Sequence, residues 1–162
     1  MQDLIPLAEQ IAAILKDRKE TIGVAESSAG GLISAALLAV PGASVYFVGG
    51  AVLYTMTVRK ALLGIVAEDM AGFRAASEPD AQLLARRMRE RLGSVWSLGE
   101  TGAAGPTGNR YGDPAGHVCF AVEGPVQRVL TIRTGSDDRA ANMVSFARKG
   151  LEFFLETLQA RP

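Results

Sequence analysis

The chain has 162 residues, and its 17 Lys and Arg balance its 17 Asp and Glu, so its formal net charge is zero. A composition of 48% hydrophobic and 21% charged residues is typical of one folded globular domain and excludes a disordered chain. The missing basic excess and the 6% aromatic content argue against a nucleic-acid or membrane-surface partner. One cysteine and one histidine exclude disulfide frameworks and the usual metal-ligand clusters.

Targeting signals are not evident in the sequence. No apolar run reaches the ~20 residues of a membrane span. The first ten residues lack the basic start of a secretory signal. We therefore expect a cytoplasmic protein in which residues 1–162 form a single domain.

Hydrophobic periodicity predicts that helices and strands alternate in the first part of the chain. In chain order, the predicted elements are a helix over 3–17, a strand over 21–25, a helix over 32–40, a strand over 45–54 and a short helix over 57–63.

The second part of the chain begins with a clear helix start, because Ser77 is followed by Pro79 and by an acid at Asp80. After that helix the predicted elements are a strand over 95–98, a glycine-rich loop over 102–116, strands over 117–122 and 127–133, and a last helix capped by residues 137–138. This order predicts an α/β fold, a three-layer α/β/α sandwich with a mixed, mostly parallel sheet.

Three segments depart from simple core patterning, and each follows a predicted strand, where open α/β sheets bind ligands. The first, residues 25–32, places Ser27 and two glycines at a helix N-terminus, where backbone N–H groups can hold an anion. The second ends a strand at Tyr54, with Arg59 and Lys60 shortly after it. Taken alone, these two segments are explained better by a capped turn and by solvated cations.

The third segment, 102–116, is a glycine-rich loop of a length that favours function over a purely structural role. It is neither a Walker loop nor a dinucleotide-binding Gly-x-Gly-x-x-Gly motif. A Ser-His pair between Ser27 and His117 is conceivable, but His117 at the start of a strand is more often structural. Cys119 alternates with apolar residues and is predicted to be a core residue.

In this order the three segments resemble the C-terminal domain of the CinA (competence/damage-inducible) family, which includes stand-alone nicotinamide mononucleotide deamidases. The family motif Ala-Glu-Ser-Cys-Thr-Gly-Gly-Leu is matched by residues 25–32, and Thr-Gly-x-Ala-Gly-Pro-x-Gly by residues 101–108. Between them, Gly-Gly, Tyr-Ser-Asn-x-x-Lys and Leu-Leu-Gly are matched by residues 49–50, 54–59 and 62–64. Asp138-Arg139 is similar to a Gly-Asp-Arg element, so the resemblance covers nearly the whole chain.

The resemblance implies hydrolysis of the carboxamide of nicotinamide mononucleotide to the acid and ammonia, through an acyl-enzyme on Ser27. A neutral lysine and Tyr54 would move the protons, and backbone N–H groups of the turn would hold the oxyanion. It also implies a homo-oligomer and a reaction that needs no metal or other cofactor. The implied substrate-binding residues are Gly30, Gly31, Thr101, Gly102, Gly105, Pro106, Thr107, Gly108 and Arg139. Of these, the loop residues and Arg139 would bind the ribose and the phosphate of the nucleotide.

The sequence departs from the family pattern at the lysine, where it has Arg59. Arginine cannot act as a general base near neutral pH. Lys60 can replace the lysine only if residues 55–60 are looped or the helix begins later, because one helical step rotates a side chain by about 100°. Alternatively, Arg59 favours the phenolate of Tyr54, which then acts as the base.

Two further hypotheses follow from these departures. The chain is either a nucleotide-binding or regulatory module without turnover, or a hydrolase of a different amide or ester, to which Ser28 and Ala29 in place of the family's Cys-Thr also point.

Overall fold

Five strands form one mixed sheet between two layers of helices in the computed structural model, which describes residues 1–161. The helices are α1 (Ile5–Arg18), α2 (Leu32–Leu38), α3 (Met56–Leu63), α4 (Glu78–Leu92) and α5 (Arg139–Gln159). The strands are β1 (Ile22–Glu26), β2 (Phe47–Val52), β3 (Trp96–Ala103), β4 (His117–Glu123) and β5 (Arg128–Arg133). None of the described helices is both long and apolar enough to cross a membrane.

The strand order is β2-β1-β3-β4-β5. β1 pairs in parallel with β2 and β3, whereas β4 is antiparallel to both of its neighbours, so it alone runs against the other four. The predicted mixed, mostly parallel sheet is confirmed. From β1 the chain moves to one side to form β2 and then crosses back to form β3. Because such crossovers are right-handed, α2 and the α3–α4 pair cover opposite faces of the sheet.

The larger core lies between the sheet and α1, α2 and α5, and a smaller one lies under α3 and α4. Trp96 of β3 and Phe154 of α5 meet edge to face in the larger core, with ring centroids 5.8 Å apart. The three predicted layers are therefore present. The chain leaves β1 for β2 on one side and returns as β3 on the other, so the connections diverge at the carboxyl ends of β1 and β3, the point where open α/β sheets bind ligands.

Predicted helix starts at Ser77 and Asp138 are confirmed, since Ser77 Oγ accepts the N–H of Asp80 and Asp138 Oδ1 accepts that of Ala141. The prediction for the third strand was too short. β3 extends to Ala103, and its buried pattern includes Glu100 and Thr101. Those polar residues argued against a strand in the sequence, but their side chains have partners inside the protein.

Candidate functional site

Ser27 lies directly after β1, between the carboxyl ends of β2 and β3. The strand register pairs Glu26 with Val52 and Ala25 with Gly99. Continued along the chain, it places Ser27 between Leu53 and Thr101. Ser27 is the first residue beyond the paired part of β1, and Thr101, at its level on β3, has its hydroxyl on the face that α3 and α4 cover. Only 7% of Ser27 is exposed.

Glu100 holds the backbone of the Ser27 turn. Its Oε2 accepts hydrogen bonds from the N–H groups of Ser27 (2.8 Å) and Ala29 (2.9 Å). The residue is fully buried, and its Oε1 atom has no partner. Burial raises the pKa of Glu100 to about 7, against the lowering effect of those two N–H groups, and the nearby Glu26 carboxylate raises it further.

Glu26 caps the same turn from its other side. Its Oε2 accepts the N–H groups of Gly31 and Ile33, both at 3.0 Å. Its Oε1 accepts the N–H (2.8 Å) and the hydroxyl (2.6 Å) of Ser34. The α2 N-terminus therefore already holds an anion that the chain supplies itself.

The two glycine amides of the turn already have partners inside the protein. The Gly31 N–H is bound to Glu26, and the Gly30 N–H donates to the Ser27 carbonyl at 3.2 Å. The expected role of Gly30 and Gly31 in binding substrate through these amides is wrong for this structure, because their donors are already satisfied. Both have left-handed φ angles (68° and 96°), so glycine suits the tight turn.

Arg59 forms the centre of a buried polar network at the carboxyl ends of β2 and β3. Its Nη1 lies 2.7 Å from Asp80 Oδ1, and its Nε donates to the Leu53 carbonyl at 3.0 Å. Thr101 Oγ1 donates to Asp80 Oδ2 at 2.8 Å, and Arg59 Nη2 lies 3.5 Å from that hydroxyl. The network joins α3, α4 and the ends of β2 and β3.

Lys60 does not reach this network. Helix α3 begins at Met56, so residues 59 and 60 are consecutive helical positions that point in different directions. Lys60 is exposed and lines a separate cavity with Thr57 and Ile65. The expectation that Lys60 replaces the family lysine as the base is therefore wrong. That role required residues 55–60 to be looped or the helix to begin later, and neither is the case.

A cavity of about 230 Å³, called cavity 1, opens beside the glycine-rich loop. Its lining includes the predicted residues Gly102, Gly105, Thr107, Gly108 and Arg139, together with Ser28, Tyr54, Ala103, Ala104 and Asn109. Ser28 thus reaches this cavity, whereas Ser27, Thr101 and Pro106 are not part of its lining. Four of the predicted loop positions therefore line one cavity, and their role in substrate binding stays a prediction.

Arg139 connects the two sides of cavity 1. Its Nη1 donates to the Gly105 carbonyl at 2.7 Å, and its Nη2 donates to the Tyr54 hydroxyl at 3.1 Å. Tyr54 is 58% exposed, and its hydroxyl is oriented by Arg139, with no hydrogen bond to Arg59. No direct contact therefore supports the expectation that Arg59 favours the phenolate of Tyr54.

A second cavity, of about 390 Å³ and called cavity 2, lies on the other side of Tyr54. Arg59 and Tyr54 contribute to its wall, as do Arg74, Arg110 and Tyr111. Tyr54 is the lining residue that the two cavities share.

His117 and Cys119 are structural, as expected. His117 is buried on β4, its Nε2 lies 2.8 Å from the Ala76 carbonyl, and it has no hydrogen bond to Ser27. Cys119 is 1% exposed. Sequence reasoning missed Glu26, Asp80 and Glu100 as parts of the site. Asp80 was explained as a helix-start acid, and a glutamate inside a strand carries no pattern that reveals a buried partner.

Comparison with known proteins gives a consistent result. A family model described as the CinA C-terminal domain matches residues 4–158. A CinA-like protein of Prochlorococcus marinus (strain MIT 9313) is 43% identical over 119 residues, which is 74% of this chain and 28% of that protein. A putative competence-damage inducible protein of Desulforamulus reducens is 44% identical over 119 residues, 74% of this chain and 29% of that protein. The chain thus spans less than a third of the length of these two relatives.

Solved structures match over nearly the full chain. The competence damage-inducible protein A of Klebsiella pneumoniae subsp. pneumoniae MGH 78578 superposes with a TM-score of 0.91 at 26% identity, covering 98% of this chain and 99% of that one. The competence/damage inducible protein of Agrobacterium tumefaciens gives 0.85 at 30% identity, covering 97% and 96%.

Proposed function

Since the chain belongs to the CinA C-terminal domain family, we propose that it is a serine amidohydrolase that converts a small phosphate-bearing carboxamide into an acid and ammonia. The observation that carries this proposal is the position of Ser27 directly after β1, where its N–H is held by Glu100, the β3 residue that precedes Thr101 of the Arg59–Asp80–Thr101 network. Nicotinamide mononucleotide is the reference substrate that the family resemblance supplies.

The reaction proceeds in two steps on Ser27. Its Oγ attacks the amide carbon, and the tetrahedral intermediate breaks the C–N bond to leave an ester on Ser27. The serine proton passes to the enzyme and then to the leaving nitrogen, which departs as ammonia. Water hydrolyses the ester, releases the acid and restores the serine.

Two groups can accept the serine proton. Asp80 accepts it through Thr101, whose hydroxyl already donates to Asp80 Oδ2 at 2.8 Å and has a lone pair free for a second donor. Tyr54, the base that the family resemblance implies, has its hydroxyl bound by Arg139 and turned toward cavity 1. We assign the proton to the Thr101–Asp80 route, because Glu100, the neighbour of Thr101 in β3, binds the Ser27 N–H and so holds the Ser27 turn next to this end of β3.

Arg59 occupies the position of the family lysine, and its role there is electrostatic instead of that of a base. A guanidinium that stays protonated stabilises negative charge, and a preorganised donor at a developing oxyanion is worth about 10²–10³ in rate. The Nη2 of Arg59 is its least engaged nitrogen, since its contact with Thr101 is 3.5 Å long. It is therefore the donor that we assign to the oxyanion, since the N–H groups of Ser27, Ala29 and Gly31 are bound by Glu100 and Glu26.

Cavity 1 is assigned to the phosphate end of the substrate. Arg139 forms no ion pair within the part of the chain that the structure describes, so its charge is available to an anion. The glycines at positions 102, 105 and 108 let the loop pack against the chain's own backbone, because a Cβ there would meet a backbone oxygen at 2.7 Å or less.

The test is ammonia release from a panel of phosphate-bearing and phosphate-free carboxamides, nicotinamide mononucleotide among them. We expect turnover of at least one phosphate-bearing amide, loss of it in Ser27→Ala, and an unchanged kcat in Ser28→Ala, which should alter only KM because Ser28 lines cavity 1. The second variant is a matched control, because Ser28 is the adjacent hydroxyl and is buried to the same degree. Turnover that survives Ser27→Ala but not Ser28→Ala would contradict the assignment.

A second candidate function is a nucleotide-binding module without turnover. It is favoured by the ion pair that fixes Arg59 at the family's lysine position. This alternative predicts that calorimetry detects binding of a mononucleotide with no ammonia release over hours, and turnover of any amide in the panel would reject it.

A further inference from the structure

Cavity 2 is strongly cationic. Three arginines, Arg59, Arg74 and Arg110, contribute to its wall, and none of the lining residues in the described chain is acidic. The rest of the wall combines apolar side chains such as Phe73 with the tyrosines at positions 54 and 111. A flat apolar surface with converging donors suits a planar group that carries polar atoms.

Two of the three charges are balanced by carboxylates that lie outside the lining. Arg59 pairs with Asp80, and Arg74 binds both oxygens of Asp113, with Nη2 to Oδ1 at 2.8 Å. Arg110 is different, because it forms no ion pair with any carboxylate of residues 1–161. Its Nη2 donates to the Tyr111 hydroxyl at 2.8 Å. One positive charge therefore remains unbalanced at this wall.

The aromatic ring of Tyr111 is already engaged by cations. The guanidinium carbon of Arg110 lies 5.0 Å from the Tyr111 ring centroid, and that of Arg74 lies 5.4 Å from it. Aromatic faces attract cations, and a cationic ligand would seek such a face. With two guanidiniums over this ring, a pyridinium ligand would meet like charge instead.

We propose that cavity 2 binds a planar group that bears a negative charge, such as a ring carboxylate, and that it discriminates against a pyridinium cation. Arg110 is the residue that distinguishes the charge of the bound planar group. This inference rests on the proposed function, in which the phosphate of the same substrate lies in cavity 1. The nicotinamide ring of nicotinamide mononucleotide is a pyridinium, so among phosphate-bearing amides we expect this chain to favour one whose ring part carries no positive charge.

The first experiment measures binding of three ribonucleoside 5′-monophosphates by calorimetry. Their ring parts are anionic in orotidine monophosphate, neutral in uridine monophosphate and cationic in nicotinamide mononucleotide. We expect affinity to fall in that order, by about tenfold at each step, the effect of one charge-assisted contact at a partly exposed site. Equal affinities, or tightest binding of the cationic ring, would overturn the inference while leaving the phosphate assignment in place.

Variants separate the two ends of the ligand. Arg110→Gln should reduce the preference for orotidine over uridine monophosphate to less than about twofold, and Arg139→Gln should weaken all three ligands to a similar degree. Arg148→Gln is the matched control, because it removes an exposed arginine on α5 that pairs with Glu152 and lines neither cavity. An unchanged preference in Arg110→Gln would contradict the role of Arg110.

A second experiment uses phosphate-free probes, so that failure of the phosphate assignment can be distinguished from failure of this inference. Orotate and 1-methylnicotinamide are titrated by NMR against the wild type and Arg110→Gln. If no mononucleotide binds, but orotate shifts resonances around cavity 2 and 1-methylnicotinamide does not, the inference stands and the phosphate assignment fails. Binding of neither probe, with no mononucleotide bound either, would overturn the inference.

Discussion

Arg59 and Asp80 form an ion pair of 2.7 Å in which the two side chains are only 5% and 0% exposed. A buried pair of this kind is costly to break, because the partner left behind is a charge without solvent. The pair is completed by the Leu53 carbonyl on the arginine side and by the Thr101 hydroxyl on the aspartate side. Arg59 is therefore a structural residue of the folded protein.

Removal of Arg59 should therefore destabilise the protein strongly. We expect Arg59→Ala to lower the free energy of unfolding by about 3–5 kcal/mol, because it leaves Asp80 buried and unpaired. Lys60→Ala is the matched control on the same helix and should change stability by less than about 0.5 kcal/mol, since Lys60 is exposed. Urea denaturation measures both, and equal effects of the two variants would contradict the described network.

The hydroxyl of Thr101 is expected to matter more for rate than for stability. Thr101→Val keeps the shape of the side chain but removes the link to Asp80. On the amide that the protein turns over fastest, it should lower kcat/KM by about 10²–10⁴, the usual contribution of general acid–base catalysis.

Its effect on the free energy of unfolding should be about 1 kcal/mol, as for one lost hydrogen bond, because Asp80 keeps the Ala76 N–H. Thr101→Ser, which retains the hydroxyl, should recover most of the rate. A fully active Thr101→Val enzyme would reject the proton route through Asp80.

Ionisation of Glu100 should make stability depend on pH in a defined window. Its pKa is raised from 4.5 to about 7 in the folded protein, mainly by burial. Below 4.5 the carboxyl is protonated in both the folded and the unfolded state. As the pH rises toward 7, the Glu100 carboxyl ionises in the unfolded state but stays largely protonated in the folded state. The free energy of unfolding therefore falls through this window.

The change Glu100→Gln should remove this dependence. Between about pH 4 and about pH 8, the wild type should lose about 3 kcal/mol of unfolding free energy relative to Glu100→Gln. Glu9→Gln, at an exposed position of α1, should track the wild type. Chemical denaturation at several pH values measures the difference, and parallel curves for wild type and Glu100→Gln would show that Glu100 does not carry the buried charge.

The order of elements and the sheet type followed from the sequence, because hydrophobic periodicity and helix caps are local signals. The three motif segments were also placed correctly at strand ends. Tertiary partners of polar side chains leave no such local signal. Glu26 and Glu100 occupy the amides expected to be free, and only the fold brings Glu100 to a turn that lies 73 residues away in the chain.

Side-chain direction on α3 was likewise decided by packing. Arg59 and Lys60 are adjacent in the sequence and nearly equivalent in chemistry. The position of the helix start at Met56 turns Arg59 inward and Lys60 outward. A one-residue shift would have exchanged their roles, so the sequence left the identity of the buried cation open.

The most direct test of the central claim is whether Ser27 is a nucleophile, and it does not require knowledge of the substrate. Intact-protein mass spectrometry after treatment with a fluorophosphonate, which labels activated serines, is run on wild type, Ser27→Ala and Ser28→Ala, with the modified peptide sequenced. The account predicts a single adduct on Ser27 in the wild type and in Ser28→Ala, and none in Ser27→Ala. An adduct that persists in Ser27→Ala, or no adduct in the wild type, would contradict it.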